Sequence, residues 1–232
     1  MPSPLRHRAV VFDLFDTLTV PYDDADFTAA LGAMAQAVGA TPAAFAEVWD
    51  RNWPRLLHGA FADTIAAVRA ACQDLGLAAS PAQADAAGAA WTAHLGRAIA
   101  LRPEALPTLR AVRGAGRRIG LISDCAPGVP LLWRQMPVAS LVDVAVFSCA
   151  VRLTKPARAI YLQACAGLGL SPQECLYVAD GVGRELTGAA EVGMTAVLLR
   201  PPGPPPDDYR LDAQQWRGDC VSSILELPAL LR

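Results

Sequence analysis

The sequence lacks long hydrophobic runs, closely spaced cysteines and an excess of basic charge. Its first apolar run, residues 9–12, is far too short for a membrane-spanning helix, and it leads into an acidic residue instead of a signal-peptide core. None of the 6 cysteines belongs to a C-x-x-C pair and the 3 histidines stand far apart, which argues against a zinc site or a disulfide framework. The net charge of -2 provides no basic surface for nucleic acid. We predict a cytoplasmic protein that binds neither membranes nor nucleic acids.

Lysine is also nearly missing from the chain. Lys155 is the only lysine among 20 basic side chains, all the others being arginine. Lysine is a compact point charge and arginine a planar fork, so the two are not interchangeable at a specific site. A single lysine kept in so arginine-rich a chain indicates a role that arginine cannot fill.

The sequence does contain an alternation of short apolar runs and helical segments. Each apolar run is four to six residues long and ends at polar residues or a turn, which is typical of a buried strand. Strands that alternate with helices predict a doubly wound, mostly parallel sheet. The predicted strands are residues 9–12, 118–122, 142–147, 175–179 and 195–199, with helices at 104–114 and 183–192 and a strand edge and closing helix within 221–231.

A long helical block interrupts this alternation after the first strand. Between residues 26 and 96 the chain is rich in alanine, has helical spacing of apolar residues and contains no convincing strand. Helices are predicted to begin at Thr41 and Ser80, where a capping hydroxyl precedes a proline. We therefore predict an α/β protein whose Rossmann-like core, residues 1–20 and 98–232, carries an inserted all-helical cap, residues 21–97.

Polar side chains follow three of the predicted strands. Asp13, Ser123 and Asp180 each stand where an apolar run ends. One aspartate after a strand is usually a turn residue, but in a parallel sheet the carboxyl ends of the strands meet at one edge, where ligands bind. A carboxylate nucleophile, a hydroxyl and the cation of Lys155 suit the transfer of an anionic group. Two carboxylates also suit Mg²⁺, which prefers hard oxygen ligands.

Four motifs in this chain resemble those of the haloacid dehalogenase superfamily, in the family's order. V-V-F-D-L-F-D-T-L at residues 10–18 resembles the first motif, a strand followed by Asp-x-Asp-x-Thr-Leu, and I-S-D at 122–124 resembles the second. Lys155 with the following proline resembles the third, and V-A-D-G-V-G-R-E-L-T-G-A at 178–189 the fourth. The resemblance covers essentially the whole chain, and the helical block matches the family's small cap.

The resemblance implies a role for each matching residue. Asp13 is expected to attack the substrate and form a covalent aspartyl intermediate, while Ser123 and Lys155 hold the transferring group. Magnesium would neutralise and clamp that group. The metal ligands implied are Asp13, Asp180, Glu185 and the backbone carbonyl of Phe15.

Two residues depart from the family pattern. Glu185 replaces the second aspartate of the fourth motif, and it can serve the metal through water or pair with Lys155. Phe15 stands where the family's phosphatases carry a second aspartate, the general acid and base. Proton transfer of this kind contributes roughly 10² to 10⁴ in rate. Phe15 cannot supply it.

Three functions remain compatible with Phe15. The first, which we favour, is a Mg²⁺-dependent hydrolase of a small phosphorylated metabolite that uses an activated leaving group or another acid, with Asp16 the nearest. The second is a 2-haloacid dehalogenase, in which an aromatic residue here is typical, although the family's dehalogenases lack the metal acid found here as Asp180. The third is a binding module without catalysis, which predicts drift at Asp13 and Lys155 that the chain does not show.

The sequence gives little information about the substrate. We expect a small anionic molecule, and no oligomeric state is predicted. In the cap, aromatic and basic residues cluster at positions 49–58, where helix packing accounts for part of the pattern. The residues predicted to contact the substrate are Phe15, Asp16, Thr17 and Asp124 in the core, with Arg51 and Trp53 in the cap.

Overall fold

The computed structural model describes residues 7–21, 23–203 and 210–231. Within them, six strands form one sheet in the order β3-β2-β1-β4-β5-β6, and every neighbouring pair is parallel. This confirms the predicted doubly wound, Rossmann-like α/β fold. The strands are β1 (Ala9–Phe12), β2 (Arg118–Ser123), β3 (Val144–Phe147), β4 (Cys175–Ala179), β5 (Thr195–Leu199) and β6 (Asp219–Val221).

Eleven α-helices accompany the strands in the described ranges. Four of them lie between β1 and the first helix of the core, where the sequence predicts the cap. The helices are α1 (Asp24–Val38), α2 (Pro42–Leu57), α3 (Thr64–Asp74), α4 (Pro81–Ala98), α5 (Ala105–Gly114), α6 (Val129–Trp133), α7 (Ser148–Val151), α8 (Arg158–Leu168), α9 (Glu185–Val192), α10 (Leu211–Gln215) and α11 (Leu227–Leu230).

The predicted elements agree with the structure except near some ends. β1, β4 and β5 have the predicted bounds, and β2 extends one residue further. β3 begins two residues later than predicted, because a 3-10 turn at Ala139–Leu141 precedes it. In the C-terminal segment the strand lies before the predicted range and ends at Val221 instead of beginning there.

The sheet is buried on both faces, which explains the continuous apolar runs. Successive side chains of a strand point to opposite faces. In β1, Val10 and Phe12 therefore pack into one hydrophobic cluster, and Ala9 and Val11 into the other. All four side chains are fully buried. Helices must cover both faces, which leaves the carboxyl ends of the strands as the open edge.

The cap helices begin as predicted and pack around aromatic rings. Thr41 and Ser80 are N-caps, and Ser80 forms a complete capping box. Trp49 is buried between Phe45 and Trp91, with ring centroids 5.8 and 5.1 Å away. This confirms packing as the role of Trp49. The division at residues 21–97 stays a prediction.

The cap joins the core through two adjacent chain crossings. Thr19 and Leu101 form an antiparallel bridge, and the N–H of Arg102 donates to the carbonyl of Leu18 at 3.0 Å. In the described part of the chain, no single helix is long and apolar enough to cross a membrane. Helices α1 and α2 together are long and apolar enough, but the chain bends by 110° between them.

Candidate active site

The strand ends bring the predicted catalytic residues together. Asp13 follows β1 directly, Ser123 is the last residue of β2, and Asp180 follows β4. Because β1 pairs in parallel with both neighbours, these residues lie at the same edge of the sheet. Asp13, Asp180 and Lys155 line a small cavity of about 140 Å³, which we call the nucleophile pocket.

Lys155 contacts the predicted nucleophile directly. Its Nζ lies 2.5 Å from Oδ1 of Asp13 and 2.5 Å from Oε2 of Glu185. The three side chains are at most 8% exposed. Burial opposes the charge of Lys155, but the two carboxylates outweigh it and raise its pKa well above the usual range. Lys155 is therefore a fixed cation at the nucleophile.

Glu185 holds Lys155 in place. Its Oε2 also accepts a hydrogen bond from the Tyr177 hydroxyl at 2.9 Å. Its Oε1 accepts from the N–H groups of Gly181 and Val182, each at 3.0 Å. Gly181 supplies this geometry at φ 90°, a conformation that other residues rarely adopt. Of the two roles predicted for Glu185, the structure shows the pairing with Lys155, and the metal role has no geometric support.

Asp124 supports the same lysine, whereas Ser123 does not line the nucleophile pocket. The Asp124 carboxylate accepts hydrogen bonds from the backbone N–H of Lys155 at 3.1 and 3.2 Å. Burial raises the pKa of Asp124, against the effect of Lys155. Ser123 is fully buried at the end of its strand. Asp124 lines the nucleophile pocket, as predicted for a residue that contacts the substrate.

Arg210 is the residue that the sequence analysis missed. Its Nε donates to Oδ2 of Asp180 at 2.6 Å, and its Nη2 donates to Oδ2 of Asp16. It lies just before α10, in a region without a recognisable motif, and it is one arginine among many. Only the fold brings it to the strand ends, so no local pattern in the sequence indicates its role.

Asp16 is held by hydrogen bonds to its backbone and to its carboxylate. It adopts φ 55°, its N–H donates to Thr19 Oγ1 at 2.9 Å, and Arg102 donates to its carbonyl at 2.5 Å. Its carboxylate accepts from Arg210. The Arg210 contact therefore occupies one of the Asp16 carboxylate oxygens, and the role of Asp16 as a substitute general acid stays a prediction.

The donor set at the strand ends fits a divalent cation only in part. Oδ1 of Asp180 is buried and has no hydrogen-bond partner among the described residues, which leaves it open to a cation. Mg²⁺ commonly binds one or two carboxylates together with water and substrate phosphate. Asp13 and Asp180 fit that role, and both line the nucleophile pocket with Phe15. Residues 7–21, 23–203 and 210–231 hold no larger metal-binding group of three or more His, Cys, Asp or Glu.

A second, larger cavity lies under the cap. It has a volume of about 580 Å³, and we call it the cap cavity. Its walls are mostly apolar and include the rings of Phe27, Trp53 and Trp91. Phe15, Asp16, Asp124 and Val182 line both cavities, so the two are adjacent. A substrate whose reacting group is in the nucleophile pocket has room for an apolar body here.

Two of the predicted substrate contacts lie outside both cavities. Arg51 is exposed and lines neither cavity, since it lies about 200° from Trp53 around α2. Thr17 is fully buried and also lines neither cavity. Trp53 does line the cap cavity, as predicted.

These features define a class: a Rossmann-like α/β protein with a buried aspartate directly after β1 and a lysine in contact with it. Residues 7–193 match the family model of the haloacid dehalogenase-like hydrolases. The match covers more than half of the chain, and the protein belongs to that family.

Relatives of both chemical types are found. The chain is 27% identical to (S)-2-haloacid dehalogenase 4A of Burkholderia cepacia, over 97% of this chain and 94% of that one. It is 28% identical to glyceraldehyde 3-phosphate phosphatase of Methanopyrus kandleri, over 42% of each chain. The crystal structure of 2-haloacid dehalogenase from Pseudomonas syringae pv. Tomato DC3000 has a TM-score of 0.73 at 23% identity, covering 97% of this chain and 98% of that one, which shows the shared fold.

The activity is expected to depend on the protonation of Asp13. Burial raises the pKa of Asp13 to about 7, although Lys155 opposes the shift. Only the ionised carboxylate attacks, so kcat/KM should rise about tenfold per pH unit below the pKa and level off above it. The measurement is kcat/KM from about pH 5 to 9, with the substrate's own titration near about pH 6 fitted separately. A midpoint near 4, the ordinary value for aspartate, would contradict the assignment.

Proposed function

We propose that this protein hydrolyses phosphate monoesters whose leaving group departs without protonation, through a covalent intermediate on Asp13. The observation that carries the proposal is the contact of Asp13 with Lys155 at the same strand edge as Asp180. The proposal is supported by a candidate nucleophile, a lysine in contact with it, and an Asp180 oxygen without a hydrogen-bond partner among the described residues. The comparisons support hydrolase chemistry and include a phosphatase.

The residues of the pocket divide the reaction into two steps. Asp13 attacks phosphorus, and the bond to the leaving oxygen breaks, which gives an aspartyl phosphate. Lys155 stabilises the charge on the phosphoryl oxygens. The same role for Ser123 stays a prediction from the sequence, because Ser123 is fully buried and lines neither cavity. Water then attacks the phosphorus, which releases phosphate and restores Asp13. When bound by Asp13 and Asp180, Mg²⁺ supplies positive charge to the phosphoryl group.

Phe15 determines which leaving groups can depart. It lines both cavities at the position where the family's phosphatases have an acid, and it has no proton to give. The substrate must then carry a stable leaving anion, such as a phenolate. The rings of Phe27, Trp53 and Trp91 in the cap cavity suit an aromatic leaving group. We therefore propose aryl phosphates as the substrate class. Cytoplasmic localisation and a small-molecule partner remain predictions.

A leaving-group series tests this proposal. In the wild-type protein, log kcat/KM should fall steeply as the pKa of the leaving alcohol rises from phenols to alkyl alcohols. Phe15→Asp should flatten that dependence and raise the rate for alkyl phosphates by up to about 100-fold, because it restores an acid. Phe15→Leu is the matched control and should keep the steep dependence. A flat series for the wild-type protein would overturn the proposal.

Hydrolysis of a 2-haloacid is the second candidate, and Phe15 favours it because halide also leaves without a proton. One relative that spans nearly the whole chain is a dehalogenase. The cap cavity opposes it, since about 580 Å³ is large for a small haloacid and Asp24 and Asp50 in its lining repel a carboxylate. Halide release from 2-chloropropionate in the presence of EDTA, without phosphatase activity, would establish this candidate instead.

A further inference from the structure

Arg210 joins three distant parts of the chain. Asp16 belongs to the loop after β1, Asp180 to the loop after β4, and Arg210 to the segment before α10. The guanidinium contacts one oxygen of each carboxylate, and its side chain is only 16% exposed. The planar guanidinium group presents several N–H donors in a fixed geometry, so it is suited to bridge two carboxylates in this way.

The same guanidinium lies beside the oxygen that fits a metal. Arg210 uses Oδ2 of Asp180, whereas Oδ1 of that carboxylate is buried without a hydrogen-bond partner in the described part of the chain. A divalent cation at Oδ1 would stand close to the guanidinium, and two like charges in a poorly solvated pocket repel each other strongly. Arg210 also neutralises charge on Asp16 and Asp180 that would otherwise attract the metal.

We propose that Arg210 is an internal competitor of the divalent cation at Asp180. Its positive charge pairs with both carboxylates, and a metal ion at Asp180 binds only against that charge. The inference rests on the metal site of the proposed phosphatase but requires no turnover. It predicts that divalent ions bind this protein more weakly than they bind the same site without the arginine.

Manganese binding, followed by the EPR signal of free Mn²⁺, tests the inference. Arg210→Ala should bind Mn²⁺ about tenfold more tightly than wild type or better, because a repelling charge is gone. Arg210→Gln keeps hydrogen-bonding groups but carries no charge, and it should show the same gain in Mn²⁺ affinity. It serves as the test if the alanine variant is poorly folded. Arg210→Lys should stay close to wild type. Arg184→Ala is the matched control, since Arg184 is an exposed arginine next to Glu185, and it should leave binding unchanged.

The location of the ion is checked by a second change. Adding Asp180→Asn to Arg210→Ala should abolish the tighter binding. Unchanged or weaker Mn²⁺ binding by both Arg210→Ala and Arg210→Gln would overturn the inference, as would tight binding that survives loss of Asp180. Because binding is measured without substrate, these outcomes are independent of the leaving-group series, which tests the function itself.

Discussion

Asp13→Asn should lower kcat by about four orders of magnitude or more, because the amide cannot form the covalent intermediate. The substitution is nearly isosteric, and it removes one of the two carboxylates that face Lys155. Substrate affinity should fall little, since Lys155 remains paired with Glu185 and in place. The measurement is single-turnover release of phenol and phosphate from an aryl phosphate.

Two controls separate chemistry from folding in this variant. Thermal unfolding should show a melting temperature near that of wild type, and binding of inorganic phosphate should persist. Asp124→Asn is a useful comparison, because Asp124 lines the same pocket but contacts the backbone N–H of Lys155. The decrease in kcat should be far smaller in Asp124→Asn than in Asp13→Asn. Equal losses in the two variants would show that Asp13 has no special role.

Lys155→Met should damage both catalysis and stability. Loss of one stabilising charge at a transition state costs about 10² to 10³ in kcat. Removal of the cation also leaves Asp13 and Glu185 buried without their shared partner, which costs about 3 to 5 kcal/mol of unfolding free energy. The measurements are kcat/KM and the free energy of unfolding in urea at about pH 8, where Asp13 is ionised.

A double variant distinguishes the two effects of Lys155. In Lys155→Met with Glu185→Gln, one unpaired charge is gone, so part of the stability should return while the activity stays low. Lys155→Arg should restore charge but little activity, because a planar fork does not reproduce the point contact of the ammonium. Full activity in Lys155→Arg would mean that the single lysine of this chain has no specific role.

The local part of this architecture could be read from the sequence. Strands buried on both faces give continuous apolar runs, which is why β1, β4 and β5 have the predicted bounds. The parallel sheet then brings Asp13 and Asp180 to one edge, and the lone Lys155 meets them there. These inferences need only patterns within short segments and the topology of the fold.

The contacts that the sequence did not predict depend on long-range packing. Arg210 is 194 residues from Asp16, and nothing near it in the chain indicates the pairing. The sequence analysis takes Asp180 as evidence for a metal site. The structure shows that Asp180 also forms an ion pair with Arg210, which is a second explanation for an acidic residue at this position. The sequence also does not show which face of α2 meets the cap cavity, and Arg51 lines neither cavity.

The most direct test of the account is rapid acid quenching of the enzyme during turnover of a radiolabelled aryl phosphate. The account predicts label bound to the protein within the first turnover, located on the peptide that contains Asp13 and absent in Asp13→Asn. The bound label should decay at the rate at which phosphate is released. Phosphate release without protein-bound label at any time, or label on another residue, would contradict the central role of Asp13.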